Sequence, residues 1–421
     1  MADLAHCGET RDLAVRAWGT ARSPRQPGTH VVKDGVVGVA TNPAQRARLE
    51  ASVAYKRRYG WSEADLVTLT GPEVHERVRV AGVLSGTWSP HCARIHPARL
   101  VNGLAGAVRR RGAQIYEQTT VERVEPGVVH TDHGKVRAAV TIHALEGYTP
   151  TVHGRRRTWL PMSSSMIVTE PLPSEVRKAI GWSGAELLGD AAHGYAYLQR
   201  TRDGRIALGG RALPYRYASR TDRRGETMGD TVDQLRDMLV RLFPTTHDVE
   251  VAHAWAGVLG VPRDWCATVG LDESTGMGWA GGYVGHGVTS TNLAGRTLAD
   301  LLPKRQPDLI DLPLVGRKVR RWEPEPARWI AVRSLYSAYA LADRREARAG
   351  TRRHRPSQRS PTSSPAASAA SSADNVPRLA TSLQGLTRPT RTPLVRCGEV
   401  LATIAFSADL PDREPDDTQA G

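Results

Sequence analysis

Apolar residues along this chain recur sometimes every second position and sometimes every three to four, and the switches between the two periods sort most of it into elements. Residues 31–41 (VVKDGVVGVAT) predict a β-hairpin turning at Asp34-Gly35. Pro43 opens a helix that runs to about Tyr59, where Gly60 stops it. Pro97 opens a second helix with Leu100, Val101, Leu104, Ala105 and Val108 on one face. Arg109, Arg110 and Arg111 occupy its last turn, and Gly112 ends it. Strand-like pieces follow at 114–117, 119–124, 128–131 and 136–145, with turns at Gly127, His133 and Gly134. Further strands fall at 162–169, 195–199, 205–209 and 251–258, spaced as in an antiparallel sheet. Between the last two, Met228, Val232, Leu235, Leu239 and Leu242 step by four and three, the signature of an amphipathic helix.

The densest chemical signal lies at 281–302, GGYVGHGVTSTNLAGRTLADLL. Trp279 and Ala280 end a short apolar strand, glycines stand at 282, 285 and 287, and a helix opens at about Val288. Glycines let a backbone approach a flat or anionic ligand, and a helix N-terminus offers unpaired N–H groups and partial positive charge. A tight strand-to-helix turn with no ligand would use the same glycines. A literal GxGxxG occurs at Gly276, Gly278 and Gly281, but it follows the turn at 272–275 and itself becomes the strand. A nucleotide fingerprint follows a strand and opens a helix. No strand–GxGxxG–helix unit with an acidic residue about 20 positions later opens the chain.

Composition narrows the classes. With 421 residues, the chain is long enough for two domains or one interleaved unit plus a tail, and 40% hydrophobic content excludes global disorder. The formal charge of +14 is partly a property of the tail, because seven arginines fall between positions 344 and 359 beside Ser, Pro and Ala. No nucleic-acid recognition motif accompanies them, so no specific nucleic-acid partner is expected. Residues 346–421 are expected to form a disordered basic tail. The four cysteines (Cys7, Cys92, Cys266 and Cys397) are far apart, which argues against a disulfide framework or a zinc site, and no metal is expected. No run of 18 apolar residues occurs, so the expectation is a cytoplasmic protein with no membrane partner.

Several stretches carry a family resemblance in a fixed order: HPARLVNGLAGAVRRRG (96–112), TTVERVEP (119–126), VTIHALEGYTP (140–150), MIVTEPLP (166–173), QRTRDGRIALGGR (199–211), WAGVLGVPRDWCATVG (255–270), the segment at 281–302, and RRWEPEPARW (320–329). Over about 31–345 the chain resembles the D-amino-acid-oxidase-like FAD-dependent oxidoreductases, the glycine, sarcosine and γ-glutamylputrescine oxidase type. The resemblance implies an α/β fold: a discontinuous, Rossmann-like FAD-binding domain with an inserted antiparallel-sheet substrate domain. The implied layout is an unpatterned N-terminus (1–30), a first FAD-domain part (31–150), the substrate domain (151–262), an FAD-domain return (263–345) and the tail. The family's initial GxGxxG unit has no counterpart here, so the resemblance reads as that of an N-terminally truncated member.

Carried over residue by residue, the resemblance puts the backbone of Val121 near the adenine of FAD. It puts the turn at Gly147 near the cofactor, with Leu145 where the family has a threonine. Gly282, Gly285, Gly287, Val288 and Thr289 would line the isoalloxazine. Tyr195, Tyr197, Arg200, Arg211 and Trp265 fall in segments resembling the substrate domain. Arg211 could clamp a carboxylate or make an interdomain ion pair, and His286 could act in catalysis or simply order the turn. The implied function is oxidation of the C–N bond of a small amine or amino acid, with hydride transfer to flavin N5 and reoxidation by O2 or another acceptor. The alternative is an inactive remnant that cannot hold FAD.

Overall fold

The computed structural model describes residues 31–210, 215–221, 225–302 and 309–353. The first stretch contains strands β1 (Val32–Lys33) and β2 (Val36–Ala40), helix α1 (Pro43–Arg58), β3 (Val67–Thr70), α2 (Gly71–Arg77), β4 (Ser85–Ser89), β5 (Ala93–Arg94) and α3 (Pro97–Arg110). Then come β6 (Val121–Glu125), β7 (Val128–Thr131), β8 (Gly134–Arg137), β9 (Thr141–His143) and a 3-10 turn at Glu146–Thr151. The middle holds β10 (Leu160–Thr169), α4 (Ser174–Ile180), β11 (Leu187–Asp190), β12 (Ala196–Arg200), β13 (Ile206–Gly210) and α5 (Gly229–Leu242). The chain continues through β14 (Val251–Val261), β15 (Thr268–Asp272), β16 (Met277–Gly281), α6 (Gly287–Leu301) and α7 (Ala327–Arg353).

Local chemistry sets the helix starts. The Asn42 side chain accepts the Gln45 N–H at 2.9 Å and Pro43 takes the first turn of α1, where its missing N–H costs nothing. Thr70 and Glu73 close a reciprocal capping box on α2.

Eight strands form one sheet in the order β14-β10-β13-β12-β11-β2-β4-β3, antiparallel throughout except for the β2–β11 pair. Alternation along the strands divides its side chains between two faces. On one face Val37, Ile167, Leu188, Leu198, Ile206 and Leu208 meet Val74 of α2, Ile180 of α4 and Leu235, Leu239 and Leu242 of α5. On the other, Leu160, Met162 and Val261 pack against Trp322 and against Val332 of α7, while Met166, Val168, Tyr197, Ala207 and Trp255 form a neighbouring cluster. The Tyr197 ring lies over Gly209, where any side chain would overlap it, and its hydroxyl hydrogen-bonds Ser164.

A second sheet, β15-β16-β9, places β16 antiparallel to β15 and parallel to β9. Val269, Ala280 and Tyr283 pack there against Ala294 and Leu298 of α6. β6, β7 and β8 make a small meander.

Several expectations need correction. β1 and β2 do not form a hairpin: β1 pairs with β5, and β2 with β11 and β4. The Asp34-Gly35 turn hands the chain from one sheet to another, because the Asp34 carboxylate accepts the Ala185 N–H and Gly35 donates to Cys92 O. Residues 114–117 are not a strand, and 136–145 is divided between β8 and β9. β2, β3 and β4 share the large sheet with β10 to β14. α7 runs on to Arg353, past the expected start of the tail at 346, and Glu346 is anchored to Arg48 by paired contacts of 2.8 and 2.7 Å. The rest of the tail, the N-terminus (1–30) and Arg211 lie outside the described residues.

Candidate functional site

Strands β16 and β9 run parallel, and ligands of open α/β sheets bind outside the carboxyl ends of such strands. Beyond the end of β16 the chain makes a strained turn. Gly281, Gly282 and Gly285 have φ of 154°, 74° and 103°, and Val284, a β-branched residue, stands at 48°. A left-handed conformation is a genuine outlier for such a side chain and costs on the order of 1–3 kcal/mol. Packing of Val284 against the cluster of Leu160, Met162, Trp322 and Val332 opposes that cost.

The glycines of the turn have different reasons. At Gly281 a Cβ would lie 2.5 Å from the Trp159 ring, and at Gly282 it would overlap Pro262. At Gly285 a Cβ would meet nothing within 4 Å, so that side of the turn is open. α6 then starts behind His286, whose side chain makes no cap bond. His286 donates its backbone N–H to Tyr283 O and accepts from Ser290 N–H. The N–H groups of Gly287, Val288 and Thr289 have no acceptor one turn back in the helix, as first-turn donors never do. Partial positive charge and three outward donors therefore converge at an uncapped helix end.

Glu146 joins this turn to its surroundings. Its carboxylate accepts the Gly260 N–H on Oε2 at 2.8 Å and the Tyr283 N–H on Oε1 at 3.1 Å. Its own φ is 43°, a second left-handed non-glycine residue. Burial pushes the Glu146 carboxyl above the usual range, against the pull of the backbone N–H groups that face it. Burial, followed by the Glu146 charge, raises the Tyr283 phenol, which keeps it protonated.

The sequence-derived residues separate into groups. Gly147 and Gly282 lie on either side of the Glu146 contacts, and a Cβ on Gly147 would sit 2.5 Å from Val258. Gly282, Gly285, Gly287, Val288 and Thr289 form the turn and the helix start. Val121 pairs with Thr131 in the meander. Arg200 donates to Ser183 O and Gly184 O at 2.7 and 2.9 Å, on the far side of the sheet from the turn. Trp265, at φ 60°, follows Pro262 beside Gly282. Glu146 escaped sequence reading, because its partners are 114 and 137 residues away.

Elsewhere, among the described residues, His193, Asp343 and Glu346 bring ligand-type atoms within 4.8 Å of one another. Arg48 already supplies the positive charge there, with its guanidinium on Glu346 and 3.1 Å from His193 Nε2. Asp343 accepts the His193 and Gly194 N–H groups at 2.9 and 2.8 Å. The cluster latches α7 onto α1 and the β11–β12 turn.

The sequence profile of the FAD dependent oxidoreductase family matches residues 6–301. The γ-glutamylputrescine oxidoreductase of Escherichia coli (strain K12) is 30% identical over 282 residues, covering 64% of this chain and 62% of that protein. The probable oxidoreductase OrdL of Rhizobium meliloti (strain 1021) is 29% identical over 225 residues, 49% of this chain and 46% of its own length. The chain thus spans roughly half to three fifths of the length of these relatives. Among solved structures, the L-proline dehydrogenase of P. horikoshii superposes with a TM-score of 0.60 at 18% identity, covering 73% of this chain and 80% of that one. The glycine oxidase of Geobacillus kaustophilus gives 0.59 at 19%, covering 75% and 82%. These likenesses establish a shared mixed α/β fold.

Proposed function

Because the chain belongs to the FAD dependent oxidoreductase family, we propose that it oxidises the C–N bond of a small amine or amino acid, with the turn at 282–289 as the seat of the flavin ring. The observation that carries this reading is the turn itself: strained, open at Gly285, and running into an uncapped helix N-terminus beside two parallel strand ends. The residues present fit the flavin end of FAD, since an open glycine admits a flat ring and the helix start favours negative charge on it. FAD, when bound, supplies the two-electron acceptor that takes the substrate's α-hydrogen.

The chain's own residues then have definite tasks. The Val288 and Thr289 N–H groups stabilise negative charge at the helix end with no reorganisation during the reaction. Met162, Leu259, Trp329 and Tyr336, packed beside Val284, form an apolar wall that limits water at the turn. The arrangement supports a discontinuous FAD-side unit with an antiparallel substrate sheet whose outer strands come from residues 36–89. Arg211 remains the proposed carboxylate clamp, and His286 a turn residue within reach of a substrate. O2 or another acceptor completes the cycle. Among the described residues no helix is long and apolar enough to cross a membrane, and a cytoplasmic setting is part of the proposal.

The test is the visible spectrum of the purified protein with and without added FAD, followed by anaerobic addition of amines and amino acids. Flavin that co-elutes with the protein and bleaches with one of these substrates supports the proposal. Flavin that is retained but reduced by none of them overturns the substrate class. A colourless protein that takes up no FAD overturns the whole reading in favour of a non-binding remnant. The rival reading draws support from the outer edge of β9, which has no paired strand among the described residues, and from the exposed apolar face of α3.

A further inference from the structure

The Glu146 carboxylate takes its two donors from separate segments, Gly260 on β14 and Tyr283 after β16, one on each oxygen. Glycines make the contact possible, since a Cβ on Gly260 would stand 2.9 Å from Glu146 Oε2 and one on Gly281 3.2 Å from Oε1. Among the described residues Glu146 makes no ion pair, so backbone N–H groups alone hold the charge. An amide in its place would offer one acceptor oxygen to two donors and turn its NH2 group toward the other N–H. The residue type is therefore matched to its partners, and the left-handed backbone at Glu146 is tolerated to bring it there.

We propose that Glu146 is a positioning residue for the flavin turn: its carboxylate fixes Tyr283 against Gly260 of strand β14, and so sets the α6 N-terminus relative to the substrate-side sheet. The proposal rests on the reading of 282–289 as the flavin seat. Loosening this clamp displaces the Val288 and Thr289 N–H groups from the positions where they meet the ring, while the large sheet, held by its own core, stays intact.

Two variants test it, Glu146→Gln and the more disruptive Glu146→Ala, each compared with wild type by amide hydrogen exchange without FAD and by FAD titration. The expected result is exchange at least 10-fold faster in peptides covering Gly260 and 282–289, with the β11 to β13 peptides unchanged. The Kd for FAD should rise at least 10-fold in Glu146→Ala and less in Glu146→Gln. At saturating FAD, the visible circular dichroism of the bound flavin should change in both variants, which a purely structural role would not produce. Faster exchange with unaltered FAD affinity and flavin dichroism overturns the positioning role. Unaltered exchange in the Glu146→Gln protein overturns the clamp itself. If the wild-type chain binds no FAD, the flavin reading falls and this proposal falls with it, while the exchange data still report separately whether Glu146 holds the turn.

Discussion

The large sheet and helix α3 make opposite use of the same kind of sequence pattern. α5 carries Leu235, Leu239 and Leu242 at helical spacing and buries all three against the sheet. α3 carries Leu100, Val101, Leu104, Ala105 and Val108 in an equally clear stripe and buries none of its residues, with Val101, Leu104 and Val108 at 62%, 56% and 43% exposure. The β9 strand shows a similar contrast: among the described residues it pairs with β16 alone, and Ile142 on it and Val140 just before it are exposed. Amphipathic periodicity therefore tells that a helix forms and which side is apolar. It does not tell whether that side has a partner, because the partner belongs to tertiary structure. The turn at 282–289 lies between β16 and α6 and is tied to β14 of the large sheet through Glu146.

The largest effect should come from the core of the large sheet. Leu239→Ala removes a fully buried side chain between α5 and the sheet, at a cost of about 2–5 kcal/mol. Urea unfolding would show it as a lower midpoint with an unchanged slope. A loss below about 1 kcal/mol would mean that this core is as loosely engaged as α3, and the contrast between the regions would disappear.

The same region holds a built-in weakness. Asp190, buried at the end of β11, accepts the Ala196 N–H at 2.8 Å and has the Arg241 guanidinium 3.6 Å away. Burial outweighs these partners, and the neighbouring Asp343 charge adds to it, so the carboxyl is pushed up to about 6. A carboxyl raised in the folded state binds more protons than it does in the unfolded chain, so stability falls as pH rises from about 4 to about 6 and the cost is full above that window. Asp190→Asn keeps an acceptor for Ala196 and removes the charge. It should leave stability unchanged near pH 4 and raise it by up to about 3 kcal/mol at pH 7, less whatever the Arg241 contact contributes. Urea midpoints of both proteins across this range would check the sign. A variant less stable than wild type at pH 7 would show that the Arg241 contact outweighs desolvation.

Much of this was legible in the residues, and the failures have physical causes. Pro43 and Pro97 mark helices whose starts are local events, settled by caps and by the fixed φ of proline, and the 229–242 stripe marks a third by its periodicity. The literal GxGxxG at 276–281 is indeed a turn followed by a strand, as its order in the chain requires. The Asp34-Gly35 signal is equally local, but it specifies only a turn. Whether the next strand returns or departs depends on Ala185 and Cys92, far along the chain. The glycines of the turn at 282–289 are visible in sequence, whereas the Glu146 contacts bridge residues 114 and 137 positions apart and the left-handed Val284 sits in a cluster assembled only in the fold.

Gly282→Ala tests the joint between the regions. The substitution adds a Cβ that overlaps Pro262 and forces alanine into a φ of 74°, so strain of about 1–3 kcal/mol is expected at the turn. Gly285→Ala shares the backbone penalty but meets open space, so it should cost the fold less. In an FAD titration both should weaken binding, by blocking the ring at 285 and by displacing the turn at 282. A Gly285→Ala protein with unchanged flavin affinity would remove the ring from that open side.

The smallest stability effect is expected where the stripe is bare. Leu104→Glu on α3 replaces an exposed apolar side chain and leaves the helix its capped start and its last-turn arginines. A surface substitution of this kind should change unfolding free energy by no more than about 0.5 kcal/mol. A contiguous exposed apolar stripe, however, attracts hydrophobic probes and other molecules. The same change should therefore lower binding of an anilinonaphthalene dye and reduce self-association in sedimentation, with the unfolding midpoint held. If instead Leu104→Glu destabilises the protein by more than about 1 kcal/mol, the stripe is covered in solution by residues outside the described ones or by a second molecule. α3 would then follow the same rule as α5, and the contrast would lie in which partner is described rather than in how the two helices are used.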